Sequence, residues 1–312
     1  MTLPRLQLSV IGDEIGPSLD EMISFAHEHG LSRLDMRTVG GRNLLAMKTE
    51  EIIHISRTLE KAGISVPAFV SPAFKWQAPG RHATNGKVDF AFDPTLCPIE
   101  DWVGHAMQIA VILGAPHLRI FSYLRYDSFR PADLIALTKD LSKLLTLANH
   151  YDVTLQLENE PVCNVGNVAE LAAFFKSVEE WAGKEPGDDE EEETFERSEP
   201  SPEQPTYLRP LVDFANAWST GERPSDADIA FLAPLTTAIH LKDRDLGTKR
   251  TVPLGDGDVP WAAELKRLLK GARTKEVLAS IKTHCPQDGR NATARSIAGL
   301  RRIAAEVGVE VV

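Results

Sequence analysis

The sequence predicts an α/β fold of the (β/α)8 TIM barrel class. Three observations carry this: eight short apolar runs of strand length, a helical run after each of them, and polar residues recurring at the C-terminal ends of several of the strands. Parallel strands need crossover helices, and eight such units in a chain of 312 residues fit a closed barrel better than an open sheet. Residues 1–312 are therefore expected to form a single domain.

The first strand, 6–11, leaves through Asp13-Glu14-Ile15-Gly16. Pro17 is expected to start a helix whose Leu19, Met22, Ile23 and Ala26 share one face until Gly30 stops it. A short second strand, 33–37, precedes a Gly40-Gly41 loop. The helix from Thr49 carries Ile52, Ile53, Ile55, Leu59 and Ala62 at helical spacing up to Gly63. The third strand is 65–71. Beyond it, 72–98 is a long irregular stretch with Lys75, Trp76 and His82, and loops of this length inside a compact domain are functional or disordered. A helix over 100–113 leads through Gly114-Ala115-Pro116 into the fourth strand, 117–122, and a helix over 131–151 leads into the fifth, 153–160. Helix 168–181, strand 208–213, helix 225–231, strand 236–242, helix 261–270, strand 276–282 and helix 291–307 complete the eight units.

Composition is that of an ordinary globular protein, with 43% hydrophobic and 25% charged residues. No apolar run reaches the ~18 to 20 residues of a membrane span, and Met1-Thr2-Leu3-Pro4-Arg5 does not read as a signal peptide, so a cytoplasmic protein with no membrane partner is expected. Cys97, Cys163 and Cys285 are odd in number and lack a C-x-x-C spacing, which argues for reduced thiols. Most of the formal charge of -11 is local. Residues 184–206 hold ten acidic residues against Lys184 and Arg197, with four Pro, and are expected to be a disordered surface insertion on the face opposite the strand ends. The remaining body is near neutral and has no basic stripe, which excludes nucleic acid as an expected partner.

The fifth strand organises the candidate chemistry. Strand alternation puts Thr154, Gln156, Glu158 and Glu160 on one face and Leu155 and Leu157 on the other. Buried carboxylates need partners. Asp213 ends the sixth strand, His240 and Lys242 end the seventh, and Lys282 and His284 end the eighth. Glu158, Asp213 and His240 form a mixed oxygen and nitrogen set suited to Mn²⁺, Mg²⁺ or Zn²⁺. A lone strand-end His is more often structural, but three such groups on consecutive strands read as a site. Arg37, Lys75 and Arg119 are expected at the mouth and suit an anionic or polyhydroxylated ligand, although Arg119 equally suits a structural partner for Glu158 or Glu160. Trp76 and Trp261 fit either ordinary packing or stacking on a sugar face.

A set of local motifs adds a family resemblance. They are Leu34-Asp35-Met36-Arg37, Ser71-Pro72-Ala73-Phe74-Lys75, Leu118-Arg119-Ile120-Phe121-Ser122, Leu157-Glu158-Asn159-Glu160, Asp213-Phe214-Ala215-Asn216-Ala217-Trp218, Ile239-His240-Leu241-Lys242-Asp243 and the loop from Pro253 to Trp261. In order and spacing the chain resembles the sugar phosphate isomerase/epimerase family with the xylose isomerase-like barrel, over nearly all of its length outside the acidic insertion. That resemblance implies one divalent ion held by Glu158, Asp213, His240 and a Glu on strand eight. The fourth ligand is absent. The strand-eight pattern reads Ile281-Lys282-Thr283-His284, with Lys282 where the carboxylate is expected. The strand-five and strand-eight carboxylates of the epimerases also exchange the proton, so the resemblance points to Glu158 and Lys282 as catalytic positions. Lys75, Arg119, Glu160, Lys242 and His284 are expected from their places at the strand ends and mouth to bind substrate.

Four readings of Lys282 stand side by side. Its ammonium replaces the ion, or His284 joins the ligands while Lys282 turns to substrate. Otherwise a desolvated Lys282 acts as base or Schiff-base nucleophile, or it makes a structural salt bridge only. The expected function is a sugar isomerase or epimerase acting on a small polyol, keto sugar or hydroxy-keto acid, a small carbohydrate-like molecule. The alternative is a sugar-binding or regulatory barrel that lost its metal chemistry through Lys282. An abasic-site endonuclease is disfavoured, because it needs several metal-binding His and a basic face. Deleting residues 187–204 is expected to leave the melting temperature and ligand binding unchanged, as differential scanning fluorimetry of the deletion variant will show.

Overall fold

The computed structural model describes residues 3–84, 92, 99–127, 141, 144–182 and 207–312. Seven parallel strands form one sheet in the spatial order Arg5–Val10, Glu276–Ile281, Ala238–Leu241, Leu208–Asp213, Thr154–Glu158, His117–Ile120 and Ala68–Phe69. The eighth position closes the ring. Residues 33–36 bridge both edges, through Ile11 to Asp35 on one side and through Arg33 to Ser65 and Met36 to Phe69 on the other.

This seam departs from the continuous second strand expected from sequence, and Pro67 supplies a reason. Arg33 pairs with Ser65 but Met36 with Phe69, so the third strand carries one extra residue across the pairing. Pro67 sits in that stretch and has no N–H to donate. What remains is six backbone hydrogen bonds: on one side Asp35 N–H to the Val10 carbonyl and Gly12 N–H to Asp35, on the other Ser65 N–H to Ser32, Leu34 N–H to Ser65, Met36 N–H to Ala68 and Val70 N–H to Met36.

Strand alternation sorts the side chains as expected. Val277, Ala279 and Ile281 join the large apolar cluster between sheet and helices, as do Leu155, Leu157, Ile239 and Leu241. The opposite faces fill the barrel. There Ile11, Ala68, Val70, Leu211, Ala238 and Leu278 make a small apolar plug. Two residues further along three of these strands, on the same face, come Asp213, His240 and Ser280, all buried.

The helices lie close to their expected bounds, at Thr49–Lys61, Ile99–Leu113, Val168–Ala182, Trp261–Gly271 and Gly289–Val307. The first begins later than Pro17, at Leu19–Glu28. Ser18 caps it, accepting from Glu21 N–H while the Glu21 carboxylate accepts from Ser18 N–H. The helix over 131–151 is described only at 141 and 144–151, where it is helical, and the insertion at 184–206 and Cys97 fall outside the described residues. Cys163 and Cys285 are free thiols. Among the described residues no helix is long and apolar enough to cross a membrane.

Two features of the mouth were not expected. A six-residue helix, Phe214–Ser219, starts directly from Asp213, ahead of helix Asp226–Leu232. Strands Asp243–Asp245 and Arg250–Val252 form a hairpin after the seventh barrel strand. Buried Asp243 anchors the loop beyond that hairpin, accepting the N–H groups of Arg244, Gly255 and Val259. Trp76 and Trp261 are both buried, and the Trp261 indole N–H donates to the Lys242 carbonyl, which supports the packing reading of these rings.

Helix Gly289–Val307 packs on the same loop without room for a side chain at Gly299, where a Cβ would stand 1.9 Å from the Leu254 carbonyl oxygen. Gly299→Ala sets one backbone against another. It is expected to cost about 1 to 3 kcal/mol or more of unfolding free energy, read from the urea midpoint.

Candidate active site

Glu158 stands at the end of its strand with both oxygens engaged. Oε2 accepts from Arg119 Nη1 at 3.0 Å, and Oε1 lies 2.5 Å from Lys282 Nζ and 2.9 Å from His240 Nδ1. All four side chains are buried. Burial alone pushes the Glu158 carboxyl up, but Lys282, His240 and Arg119 outweigh it and hold the pKa well below the ordinary carboxylate range. Arg119 is fully buried, and it also donates to the Ser71 and Val70 carbonyls and lies 4.4 Å from the Phe121 ring centroid. It is the partner of Glu158 rather than a group at the open mouth.

Asp213 divides its two oxygens. Oδ1 accepts the Asn216 N–H and so caps helix Phe214–Ser219. Oδ2 faces two ammonium groups, Lys242 Nζ at 2.8 Å and Lys282 Nζ at 3.4 Å. A pair of amides braces this wall: Asn159 binds both the N–H and the carbonyl of Asp213, and Asn216 donates to the Asn159 carbonyl and accepts from Lys242. Neither Asn159 nor Asn216 stood out in the sequence, since an amide beside an acid is unremarkable until its partner is known.

Lys282 is the centre of the group. Its Nζ lies within 4.0 Å of carboxylate oxygens from Glu158, Asp213 and Glu160. Burial opposes its charge, but Glu158, Asp213 and Glu160 more than compensate and raise its pKa above the usual lysine range. Lys242 differs, because burial wins over Asp213 and lowers its pKa. His240 is likewise lowered by burial against the pull of Glu158, which favours the neutral imidazole. At the outer edge Glu160 pairs with Lys75 at 3.7 Å, and Lys75 lies 5.1 Å from the Phe121 ring centroid.

His284 belongs to a second network. Its backbone N–H donates to Glu14 Oε2 and its Nε2 lies 3.5 Å from Glu14 Oε1, while Arg37 binds Asp13 and Glu14 and the Thr283 hydroxyl also donates to Glu14. Its φ is +50°, in the left-handed region that a residue with a side chain seldom adopts, and such strain is typical of functional loops. Burial, Lys282, Lys242 and Arg37 together hold the imidazole well below its ordinary pKa. His284 and Pro286 line two adjoining cavities of about 740 and 850 Å³, the first walled by Asp13, Glu14 and Arg37 and the second by Arg244, Lys249 and Cys285.

No protein-family model matches the chain, and no curated protein sequence matches it. Solved structures do match. The IolI protein with a bound zinc atom superposes over 96% of this chain and 99% of its own, with a TM-score of 0.70 and 13% identity. A xylose isomerase domain protein from Planctomyces limnophilus gives 0.65 at 16% identity over 99% of both chains. A xylose isomerase-like TIM barrel protein from Mycobacterium smegmatis, in complex with magnesium, gives 0.60 at 13% identity over 98% of both chains. The chain has the fold of the xylose isomerase-like TIM barrels, as its motifs imply.

Ligand atoms of Glu158, Asp213 and His240 lie within 4.8 Å of one another, a spacing at which three groups hold a metal ion. Occupancy of the donor atoms argues against one here. Both Glu158 oxygens already face cations, Asp213 Oδ1 is committed to a helix cap, and Asp213 Oδ2 is shared by two lysines. A divalent ion among these atoms would meet Lys282 at the distance of a ligand. The donor set as it stands does not fit a divalent metal.

Below the cluster lies one acid without a charged partner. Asp35 is fully buried beside Ser9 and Ser280, yet neither carboxyl oxygen has a donor in hydrogen-bond geometry. Burial pushes its pKa up to about 7, against the weaker pull of those hydroxyls and the Ala68 N–H. Because the folded pKa exceeds the unfolded one, this group's contribution to stability is full below about pH 4 and is lost as pH rises through 7. Asp35→Asn should flatten that slope. It is expected to make the protein more stable than wild type at pH 8, by on the order of 4 kcal/mol at most, and not at pH 4, in urea titrations at both pH values.

Proposed function

We propose that this barrel is a small-molecule enzyme that moves a proton next to a carbonyl in a small polyol, keto sugar or hydroxy-keto acid, and does so without a divalent ion. The observation that carries the reading is the contact between Glu158 Oε1 and His240 Nδ1 at 2.9 Å inside a buried, cation-rich barrel mouth. An ionised carboxylate only accepts, so Nδ1 of the neutral imidazole carries the proton and Nε2 is left basic. In this reading His240 takes the proton from carbon and returns it. Glu158 is a positioning residue that fixes the tautomer, and the ammonium groups of Lys242 and Lys282 offset the negative charge that develops on the carbonyl oxygen.

The acid and base roles expected of Glu158 and Lys282 pass to His240 for a physical reason. Each holds the other in its charged form, with pKa values driven away from neutrality in opposite directions, whereas a proton carrier works best near the operating pH. For the same reason Lys282 is a poor Schiff-base nucleophile. Lys75, Glu160 and His284 remain the groups proposed to bind substrate hydroxyls or a carboxylate. That locked pair also favours a second reading, a binding barrel that recognises such a molecule and leaves it unchanged.

Deuterium exchange separates the two. The protein is incubated in D₂O with a panel of ketoses and hydroxy-keto acids, and the proton on the carbon next to the carbonyl is followed by NMR. An enzyme washes that signal out, chelator leaves the rate intact, and His240→Gln lowers it by about 100-fold or more while the ligand still raises the melting temperature. A ligand that raises the melting temperature of the wild-type protein without any exchange assigns the barrel to binding.

A further inference from the structure

We infer that Lys282 is a built-in substitute for a divalent ion, and that the barrel holds a latent metal centre kept closed by this one side chain. The inference concerns which cation the cluster accepts. It stands whether or not the proposed proton transfer occurs.

The atoms that would coordinate an ion are present and close, with Glu158, Asp213 and His240 contributing one each within 4.8 Å. Lys282 Nζ approaches the carboxylates of that set, 2.5 Å from Glu158 Oε1 and 3.4 Å from Asp213 Oδ2. The lysine has nowhere else to go. Its side chain is almost wholly buried, and its backbone N–H is tied to the Leu241 carbonyl at 2.9 Å. Strand register keeps it level with the ligands, since Ile281 pairs with Leu241 and Asp213 with His240.

Charge fixes the choice between the two cations. Glu158, Glu160 and Asp213 give three negative charges, against four positive ones from Lys75, Arg119, Lys242 and Lys282. The cluster carries +1, and a divalent ion added to it would bring +3 into a buried space. With Glu at 282 the same positions carry -1, and the ion returns the total to +1. The Lys282→Glu protein with its metal thus has the net charge of the native cluster, with a fourth protein ligand beside the other three.

The test uses the full chain and Mn²⁺ as probe. Wild-type protein purified without chelator is expected to hold less than a tenth of an equivalent of metal by inductively coupled plasma mass spectrometry. Its melting temperature should move by less than a degree with Mn²⁺ or EDTA. Lys282→Glu is expected to bind close to one equivalent of Mn²⁺, to melt several degrees higher with it, and to lose that gain in EDTA. If Lys282→Glu folds only when Mn²⁺ is supplied, the inference is equally supported. Near-stoichiometric metal in the wild-type protein overturns it, as does a folded Lys282→Glu protein that ignores Mn²⁺. Should Lys282→Glu fail to fold under either condition, Lys282→Gln decides, because it removes the ammonium without adding a carboxylate. A Mn²⁺-dependent rise in its melting temperature supports the inference, and no rise overturns it.

Discussion

The ammonium of Lys282 lodged between Glu158 and Asp213 is the interaction on which the upper half of the barrel depends. Two buried carboxylates this close repel each other and lose their hydration, and neither cost is tolerable without a cation between them. Once that cation is a fixed side chain, the neighbours fall into place around it. Arg119 takes the remaining Glu158 oxygen and Lys242 shares the Asp213 oxygen. Asn159 and Asn216 satisfy the backbone and amide groups left over. A partly satisfied polar network inside a barrel would be worse than an apolar one, and here the main acids are all engaged.

This arrangement shapes the chemistry available. Carboxylates and ammonium groups that lock one another in the charged state offer a strong, oriented field and few exchangeable protons. The imidazoles of His240 and His284, both lowered from their ordinary pKa chiefly by burial, each sit against an acid, Glu158 and Glu14. The apolar plug of Ile11, Ala68, Val70, Leu211, Ala238 and Leu278 underlies the polar layer and keeps water from its lower side. Asp35 lies in the interior with no cation to meet it and no donor in hydrogen-bond geometry on either carboxyl oxygen.

Much of this was legible in the sequence because strand alternation is rigid. Residues two apart in a strand share a face, so Glu158 and Glu160, and His240 and Lys242, declared their side of the sheet before their partners were known. His284, beyond the end of its strand and at a positive φ, instead turns away from Lys282 to Glu14. The strand order followed from the repetition of units. What escaped were features set by single contacts between distant parts of the chain. Glu14 in the first exit loop binds the N–H of His284, and nothing near either residue signals the other. Helix Phe214–Ser219 is too short for an apolar period and owes its start to the Asp213 cap. The second strand read as a strand, but Pro67 in its neighbour breaks the ladder that would have made it one.

The split use of Asp213 carries a further consequence. One oxygen fastens the backbone of the following helix and the other meets the lysines, so the two duties are separated within a single carboxylate. A guest that draws an ammonium group toward itself disturbs only the second. A wall that keeps its shape while its charges change partners would cost a bound molecule little reorganisation energy, the condition under which a polar pocket stabilises a developing charge most effectively.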